Sequence, residues 1–301
     1  MGRLTAIVLG SAAGGGFPQW NCSCAVCRLA WAGDTRVRSR TQASLAVSAD
    51  RENWVLINAS PDLRQQLERS PALHPRAGAR GSPIKAVVLT GAEIDQVTGL
   101  LSMREREPFT ICATATTLAA LGGNTLFDAL APDVVTRRAL VPGESVALPG
   151  SLQAELFMVP GKAPLYLEGE NPDTASETAA NVGVEISAAG ARIVFIPGAA
   201  AVTPAMRERM ARADVVFFDG TLYRDDEMIA SGTGVKTGRR MGHMPIAGDD
   251  GTLAALAAVP ARRIFLHINN TNPVLVDGSP ERAAVERAGW QVAEDGMEIV
   301  L

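Results

Sequence analysis

Histidine is scarce in this sequence. Only three of the 301 residues are histidines, His74, His243 and His267, so a metal site that needs four or more imidazoles is excluded. Basic residues are not in excess either, since 28 Lys and Arg stand against 32 Asp and Glu, a net charge of −4. This balance excludes the basic field with which proteins attract nucleic acid or an anionic membrane.

Long apolar runs are also missing. The most apolar stretches are broken by Gly, Pro or a charge well before the about 20 residues that a membrane-spanning helix needs. Near the N-terminus, Leu4–Leu9 is too short for the hydrophobic region of a signal peptide, and it leads into Gly14–Gly16 instead of a small-residue cleavage site. We therefore expect a soluble cytoplasmic protein without a membrane span.

The apolar residues that are present predict a layered α/β fold. Hydrophobic residues make up 47% of the chain and charged residues 20%, which is enough to bury a large core in one domain over 1–301. Apolar runs predict strands over Leu4–Leu9, Ser44–Val47, Trp54–Asn58, Ala86–Leu89, Phe109–Ala113, Leu152–Met158, Gly183–Ile186, Arg192–Pro197, Val215–Phe218, Arg263–Ile268 and Met297–Leu301. Capping signals predict helices over Pro61–Ser70, Ala115–Leu121, Pro204–Ala211, Thr252–Ala258 and Pro280–Ala288. Strands in runs of two or three with helices between them indicate two mixed sheets with helices outside. Polar loops are predicted over Gly169–Ala180 and Ala77–Pro83.

Three thiols within six residues form the sharpest local motif: Cys22, Cys24 and Cys27. They lie in a Gly/Pro-rich N-terminal loop at about 20–30 and can converge on one tetrahedral ion, for which structural Zn²⁺ is the usual case. The fourth cysteine, Cys112, lies in an apolar strand and is expected to be a core thiol. The fourth zinc ligand must then come from elsewhere, and His267 at the end of a strand is favoured, with Asn270 as the alternative.

Two other segments carry groups suited to a second site. His243 lies in a glycine-flanked loop with three basic residues, Lys236, Arg239 and Arg240. These cations would suit a substrate bearing carboxylates, because Arg binds carboxylates bidentately. A solvated basic loop is the alternative. Asp219 ends a strongly apolar strand, where a carboxylate serves as a metal ligand or base, or as a turn residue.

The turn after the apolar run Ile84–Leu89 carries carboxylates and no histidine. Its polar side chains are Glu93, Asp95 and Gln96. The turn alone is compatible with a metal site of unusual ligands, a site that has lost its metal, or a simple loop.

Taken together, these stretches resemble the metallo-β-lactamase superfamily and, more closely, its PqqB family, which acts in the biosynthesis of pyrroloquinoline quinone (PQQ). The resemblance spans nearly the whole chain and is carried by Gly10–Cys22, Leu56–Asp62, Pro160–Tyr166, Phe217–Leu222, Lys236–His243 and His267–Pro273. It implies an αββα four-layer sandwich. In the superfamily the turn has the pattern H-x-H-x-D-H, whose histidines fall here on Gly91, Glu93 and Gln96, so that only the aspartate, Asp95, remains.

The resemblance implies a role in PQQ assembly. With three histidines, a standard dinuclear zinc hydrolase site cannot be built, so β-lactamase, phosphodiesterase and tRNA-processing activities are not expected. What remains is an oxygen-rich set with one imidazole: Glu93, Asp95, Asp219 and His243. Such a set is suited to Fe(II) and would supply both the metal ligands and the catalytic groups. The family implies Fe(II)- and O₂-dependent hydroxylation of a tyrosine-derived, carboxylate-rich precursor, bound by Lys236, Arg239 and Arg240.

Two non-catalytic functions stay open at this point. The first is a carrier that helps to move PQQ or its precursor towards the periplasm. The second is a zinc-stabilised scaffold for the other PQQ-biosynthesis proteins, and a homodimer is compatible with any of these roles. One tightly bound Zn²⁺ alone would favour the carrier or scaffold, whereas Zn²⁺ with a second, Fe-selective site would favour the hydroxylase.

Overall fold

The computed structural model describes residues 2–76, 78–170 and 172–301. The strands in this part of the chain are β1 (Thr5–Gly10), β2 (Ser44–Ser48), β3 (Trp54–Ile57), β4 (Ile84–Val88), β5 (Phe109–Ala113), β6 (Val135–Ala139), β7 (Ser145–Leu148), β8 (Leu152–Pro160), β9 (Glu177–Ala188), β10 (Ala191–Ile196), β11 (Val215–Asp219), β12 (Arg262–Leu266), β13 (Trp290–Val292) and β14 (Glu298–Val300).

The helices are short. They are α1 (Ala25–Trp31), α2 (Leu63–Glu68), α3 (Ile94–Val97), α4 (Ala115–Gly122), α5 (Pro204–Ala211), α6 (Glu227–Ala230), α7 (Gly238–Met241), α8 (Thr252–Ala255) and α9 (Pro280–Arg287). Short 3₁₀ helices cover Pro71–Leu73, Thr98–Met103, Thr125–Ala129, Pro149–Ser151, Leu165–Leu167 and Pro273–Leu275. None of the helices in the described ranges has the length and apolar character to cross a membrane.

The strands form two seven-stranded mixed sheets. The first has the order β14-β1-β2-β3-β4-β5-β6 and the second the order β13-β12-β11-β10-β9-β8-β7. Strands β3 to β6 are parallel, as are β10 to β13, while the remaining neighbours in each sheet are antiparallel. The predicted pair of mixed sheets is therefore confirmed.

Each sheet is buried on both faces, which explains the continuous apolar strands. In β11, Val215 and Phe217 belong to the core between the sheets, whereas Val216 and Phe218 pack on the opposite face with Met206 of α5. On the first sheet, the outer face packs against α2 and α4. Helix, sheet, sheet and helix thus form four layers, as the αββα prediction requires.

The prediction missed some strands and extended one loop too far. Strands β6, β7 and β13 were not predicted, and all three lie at sheet edges. The predicted loop Gly169–Ala180 includes Asn171, outside the described residues, and from Glu177 onward it belongs to β9. The smaller predicted loop Ala77–Pro83 likewise includes Ala77, outside the described residues.

The parallel strands bring three functional segments to one edge of the sandwich. Strand β11 ends at Asp219, which is in register with Leu266 at the end of the neighbouring β12. His267 follows β12 directly, and the carboxylate-bearing turn follows β4 in the opposite sheet. Carboxyl ends of parallel strands are the usual place for a ligand site in an α/β protein.

Candidate metal centres and their cavity

Asp219 is held rigidly at the end of β11. Its side chain is fully buried. One carboxylate oxygen, Oδ2, accepts a hydrogen bond from the backbone N–H of Ala199 at 2.9 Å. The other, Oδ1, accepts from the backbone N–H of Thr221 at 3.0 Å and from its hydroxyl at 2.6 Å. A buried carboxylate with three donors stays in one position, as a ligand or base must.

His243 faces Asp219 from the end of α7. That helix ends at Gly242 in the left-handed conformation (φ 89°), which glycine adopts freely. The chain turns there, and Nδ1 of His243 lies 2.8 Å from Oδ2 of Asp219. Gly198 leaves room for the ring, because a Cβ at that position would lie 3.1 Å from Cε1 of His243.

His267 joins the same cluster. Its φ of 58° is unusual for a residue with a side chain, and such backbone strain concentrates at functional sites. Nδ1 of His267 lies 2.9 Å from Oγ1 of Thr221, and Nε2 lies 2.9 Å from Oδ2 of Asp95. The imidazoles of His243 and His267 are stacked, with ring centroids 5.3 Å apart.

These residues form a compact set of potential ligands. One donor atom from each of Asp219, His243 and His267 lies within 4.8 Å of the other two, and Asp95 borders the set through His267. Two imidazoles and a carboxylate are the donors of the facial triad that binds non-haem Fe(II). The structure thus brings together three residues predicted for the active-site metal, Asp95, Asp219 and His243.

His267 corrects the sequence-based assignment, which placed it at the zinc of the thiolate site. Both of its ring nitrogens are instead engaged by Asp95 and Thr221 in the carboxylate cluster. The pairing of β11 with β12 could have indicated this, because parallel neighbours place Asp219 and His267 at one edge.

The charges of the cluster support one another. Burial alone would lower the pKa of His267, but its hydrogen bond to Asp95 and the charges of Asp95 and Asp219 outweigh burial and raise the pKa of the imidazole. Burial likewise disfavours the carboxylates, yet the neighbouring imidazoles hold the pKa values of Asp95 and Asp219 below the usual one. The site therefore keeps its carboxylates ionised, as cation binding requires.

Glu93 has a different role from the predicted ligand. Its Oε1 accepts hydrogen bonds from Nζ of Lys162 and from the backbone N–H of Leu165, both at 3.1 Å. Glu93 therefore ties the turn to the segment between β8 and β9 and is not in the compact ligand set. Gln96 is also internal to the turn: its Oε1 accepts from the backbone N–H of Glu93 at 3.2 Å and lies 2.5 Å from where a Cβ at Gly91 would be.

A cavity of about 430 Å³ opens onto the cluster. Asp95, His243 and His267 line it, and so do Lys162 and Lys236. Lys162 was not predicted as a substrate-binding residue, since its lone charge in a Gly/Pro-flanked loop gives little signal.

The two predicted arginines do not line this cavity. The guanidinium of Arg239 pairs with Asp250 at 2.6 Å, and this differs from the predicted substrate contact. Arg240 lies nearer: its Nη1 is 3.5 Å from Glu168, and its Nη2 donates to the carbonyl oxygen of Glu170 at 3.1 Å. Of the three predicted basic residues, only Lys236 reaches the cavity wall.

The three thiols meet at a second centre, as predicted. Cys24 caps the N-terminus of α1, which contains Cys27, and the thiol sulfurs of Cys22, Cys24 and Cys27 lie within 4.8 Å of one another. Nδ2 of Asn270 lies 3.1 Å from Sγ of Cys22 and 3.3 Å from Sγ of Cys27. Asn270, the alternative in the sequence, therefore lies beside the thiols, where the sequence prediction placed His267. Burial raises the pKa of Cys27 to about 12, so a cation is needed to hold this thiolate at neutral pH.

Cys112 also lies where the sequence predicts. It is buried in β5 within the core between the sheets, and burial raises the pKa of its thiol to about 11.

Comparison with known proteins identifies the family. Residues 53–268 match the model of the beta-lactamase superfamily domain. The coenzyme PQQ synthesis protein B of Methylobacterium sp. (strain 4-46) is 55% identical over 299 residues, covering 99% of this chain and 100% of the relative. The crystal structure of Zn²⁺-bound PqqB from Methylobacterium extorquens superposes with a TM-score of 0.97 at 52% identity, over 99% of this chain and 100% of that one. A diphosphatase of the PhnP family (TM-score 0.70, 21% identity, 99% and 97% coverage) shares the fold. Full-length identity above 50% and a matching fold show that the chain belongs to the PqqB family of coenzyme PQQ synthesis proteins, within the beta-lactamase superfamily.

Proposed function

We propose that this protein acts in PQQ biosynthesis as an Fe(II)- and O₂-dependent hydroxylase of a tyrosine-derived precursor. The observation that carries the proposal is the compact set formed by Asp219, His243 and His267, whose two imidazoles line the cavity. Nitrogen and oxygen donors without a thiolate suit Fe(II). The sequence predicted one imidazole in this site, and the second, from His267, brings the set closer to the facial triad.

The residues of the cluster would have two roles, metal binding and the positioning of the metal ligands. Asp219, His243 and His267 would hold the metal, and His267 would bind it through Nδ1 in place of its contact with Thr221 while Asp95 orients the imidazole through Nε2. Bound Fe(II) would supply the activation of O₂: one oxygen atom would enter a C–H bond of the precursor, and the other would leave as water with two electrons and two protons, the electrons coming from an external two-electron reductant. Thr221 fixes both Asp219 and His267 through its hydroxyl, so the ligands are positioned before the metal arrives, and such supporting contacts commonly tune a metal site.

The cavity suits a small carboxylate-bearing substrate. It has a volume of about 430 Å³, within the range of small-molecule sites, and the ammonium groups of Lys162 and Lys236 lie in its wall. Lysines can bind carboxylates of the precursor and turn its ring towards the cluster. The thiolate centre lies outside this chemistry: Cys22, Cys24, Cys27 and Asn270 would hold a structural Zn²⁺ that fixes α1 to the loop after β12.

A carrier function is the second candidate, and the same basic cavity favours it. A carrier needs the cavity and its lysines but no metal turnover. Metal content separates the two functions, because a carrier requires only the zinc centre.

The test is a count of metals per chain after anaerobic loading with Fe(II), in the wild type and in single histidine variants. We expect one Zn and one Fe in the wild type, and loss of Fe with retention of Zn in His243→Ala and His267→Ala. His74→Ala is the matched control, because His74 is exposed and should leave both metals in place. Zinc alone in the wild type, with PQQ still bound, would contradict the hydroxylase and leave the carrier.

A further inference from the structure

Glu168 gathers three cations beside the cavity. Its carboxylate lies 2.9 Å from Nζ of Lys162, 3.0 Å from Nζ of Lys236 and 3.5 Å from Nη1 of Arg240. The side chain of Glu168 is 8% exposed and that of Lys162 is 10% exposed, so water screens this group little. The ammonium of Lys162 holds the pKa of Glu168 at about 2, which keeps the carboxylate ionised.

The cluster has more positive charge than Glu168 can balance. Lys162 has a second partner, Glu93, at 3.1 Å, but Lys236 and Arg240 converge on Glu168. Nη1 of Arg240 is buried, and among the described residues it makes no well-directed hydrogen bond. A buried donor without a full partner indicates a site that an anionic group can complete.

Two of these cations, Lys162 and Lys236, face the cavity in which a ligand would bind. Both Lys162 and Lys236 line the cavity that opens onto Asp95, His243 and His267. An ammonium has three donors, and those of Lys162 already face Glu93, the carbonyl oxygen of Ala163 and Glu168. A ligand carboxylate in the cavity must therefore compete with Glu168 for Lys162, and it meets the same carboxylate at Lys236.

We propose that Lys162 and Lys236 bind two carboxylate groups of one ligand, and that Glu168 is an internal counter-ion with which that ligand competes. The inference rests on the proposed function only in naming a PQQ precursor as the natural ligand. Its consequence is selectivity: a single carboxylate gains too little to compete with Glu168, whereas a ligand that engages both lysines at once succeeds.

Two opposing effects decide what the loss of the Glu168 charge would do. Glu168 holds the lysines in place, so its removal frees side chains that the ligand must then order. It also repels any ligand carboxylate placed within a few ångströms in a weakly screened site, and this repulsion is the larger effect at such distances. We therefore expect the neutral variant to bind polycarboxylates more tightly.

The experiment measures binding of PQQ, a tricarboxylate, to the zinc-loaded protein without iron or O₂, by equilibrium dialysis at two salt concentrations. Glu168→Gln should bind PQQ at least about fivefold more tightly than the wild type. Lys162→Ala and Lys236→Ala should each bind it about tenfold more weakly. Since iron and O₂ are absent, failure of the hydroxylase proposal would leave these results unchanged.

Three controls make the result specific. Arg239→Ala should bind PQQ like the wild type, because Arg239 pairs with Asp250 outside the cavity. Glu168→Asp keeps the charge and should remain near the wild type, which guards against a folding artefact in Glu168→Gln. The trimethyl ester of PQQ lacks the charges and should not distinguish the variants. Weaker or unchanged PQQ binding by a folded Glu168→Gln protein would overturn the counter-ion role, and wild-type affinity in both lysine variants would overturn the site.

Discussion

Glu227 gives the fold a pH dependence that one substitution should remove. Its carboxylate lies in α6, buried, where Oε1 accepts a hydrogen bond from the hydroxyl of Thr271 at 2.6 Å and Oε2 accepts from the backbone N–H of Tyr223 at 2.7 Å. Burial outweighs these donors and raises the pKa of Glu227 from 4.5 to about 7. Glu227→Gln keeps the shape of the side chain and removes the titration.

The sign and size of this pH dependence follow from the linkage between protonation of Glu227 and folding. A carboxyl group whose pKa is raised by folding stabilises the native state while it is protonated, and this contribution is lost as the pH rises from the unfolded pKa through the folded one. For Glu227 that window runs from 4.5 to about 7. Each pKa unit corresponds to about 1.4 kcal/mol, so the wild type should lose roughly 2–3 kcal/mol relative to Glu227→Gln between about pH 5 and pH 8.

The assay is urea unfolding of the zinc-loaded proteins at several pH values and constant ionic strength, with the free energy of unfolding taken by linear extrapolation. Both proteins share the pH dependence of the metal centres, so the difference between them isolates Glu227. Glu208→Gln, at an exposed position, is the control and should show a constant difference from the wild type. A constant difference for Glu227→Gln as well would refute the reasoning.

Further predictions concern the two centres and the turn between them. Asn270→Ala should weaken zinc binding by about tenfold or more, whereas His267→Ala should leave zinc affinity unchanged. Competition with a chelator measures both affinities. An equal loss of zinc affinity in the two variants would indicate that His267 is a ligand of the thiolate site. Gly91→Ala should lower the melting temperature by roughly 3–8 °C. Its Cβ would lie 2.5 Å from Oε1 of Gln96, which is held by the backbone N–H of Glu93, and 3.2 Å from the backbone oxygen of Ala180; unchanged melting would contradict this. Asp95→Asn should lower the pKa of the His267 imidazole in the metal-free protein, and NMR titration showing no change would exclude the coupling.

The sequence allowed the central strands to be predicted because they are buried on both faces. Runs such as Val215–Phe218 are apolar at every position, so they predict a buried strand whichever residues face each side of the sheet. The missed strands lie at sheet edges, where one side of the strand has no neighbour. In β6, Thr136 to Ala139 are all exposed, and so the Val-Thr-Arg-Arg-Ala pattern contains no apolar run or clean alternation.

Three one-turn helices escaped prediction for a related reason. Helices α3, α6 and α7 have four residues each, about one turn, which is too little for a helical period to appear. Yet α7 sets the direction of His243, and Glu93 is the N-cap residue of α3. The side chains of the site are therefore placed by elements that the sequence pattern does not reveal.

The sequence predicted most of the residues of the two centres, but not which centre each residue belongs to. Three residues assigned to the active-site metal, Asp95, Asp219 and His243, come together in the structure. His267 and Asn270 lie only three positions apart and serve different centres, because the left-handed backbone at His267 (φ 58°) turns its ring towards Asp95 while Asn270 contacts the thiols. A single backbone angle of this kind has no signature in the sequence unless glycine marks it.

The most direct test of the proposed hydroxylase is isotopic. The protein is loaded anaerobically with Fe(II), mixed with a tyrosine-derived, carboxylate-bearing precursor and a two-electron reductant, and exposed to ¹⁸O₂. The mass of the product is then measured by mass spectrometry. The proposal predicts one ¹⁸O atom per product molecule in the wild type and in His74→Ala, and none in Asp219→Ala or His243→Ala. Precursor that binds but returns without a mass change from the iron-loaded wild type would contradict the proposed hydroxylation.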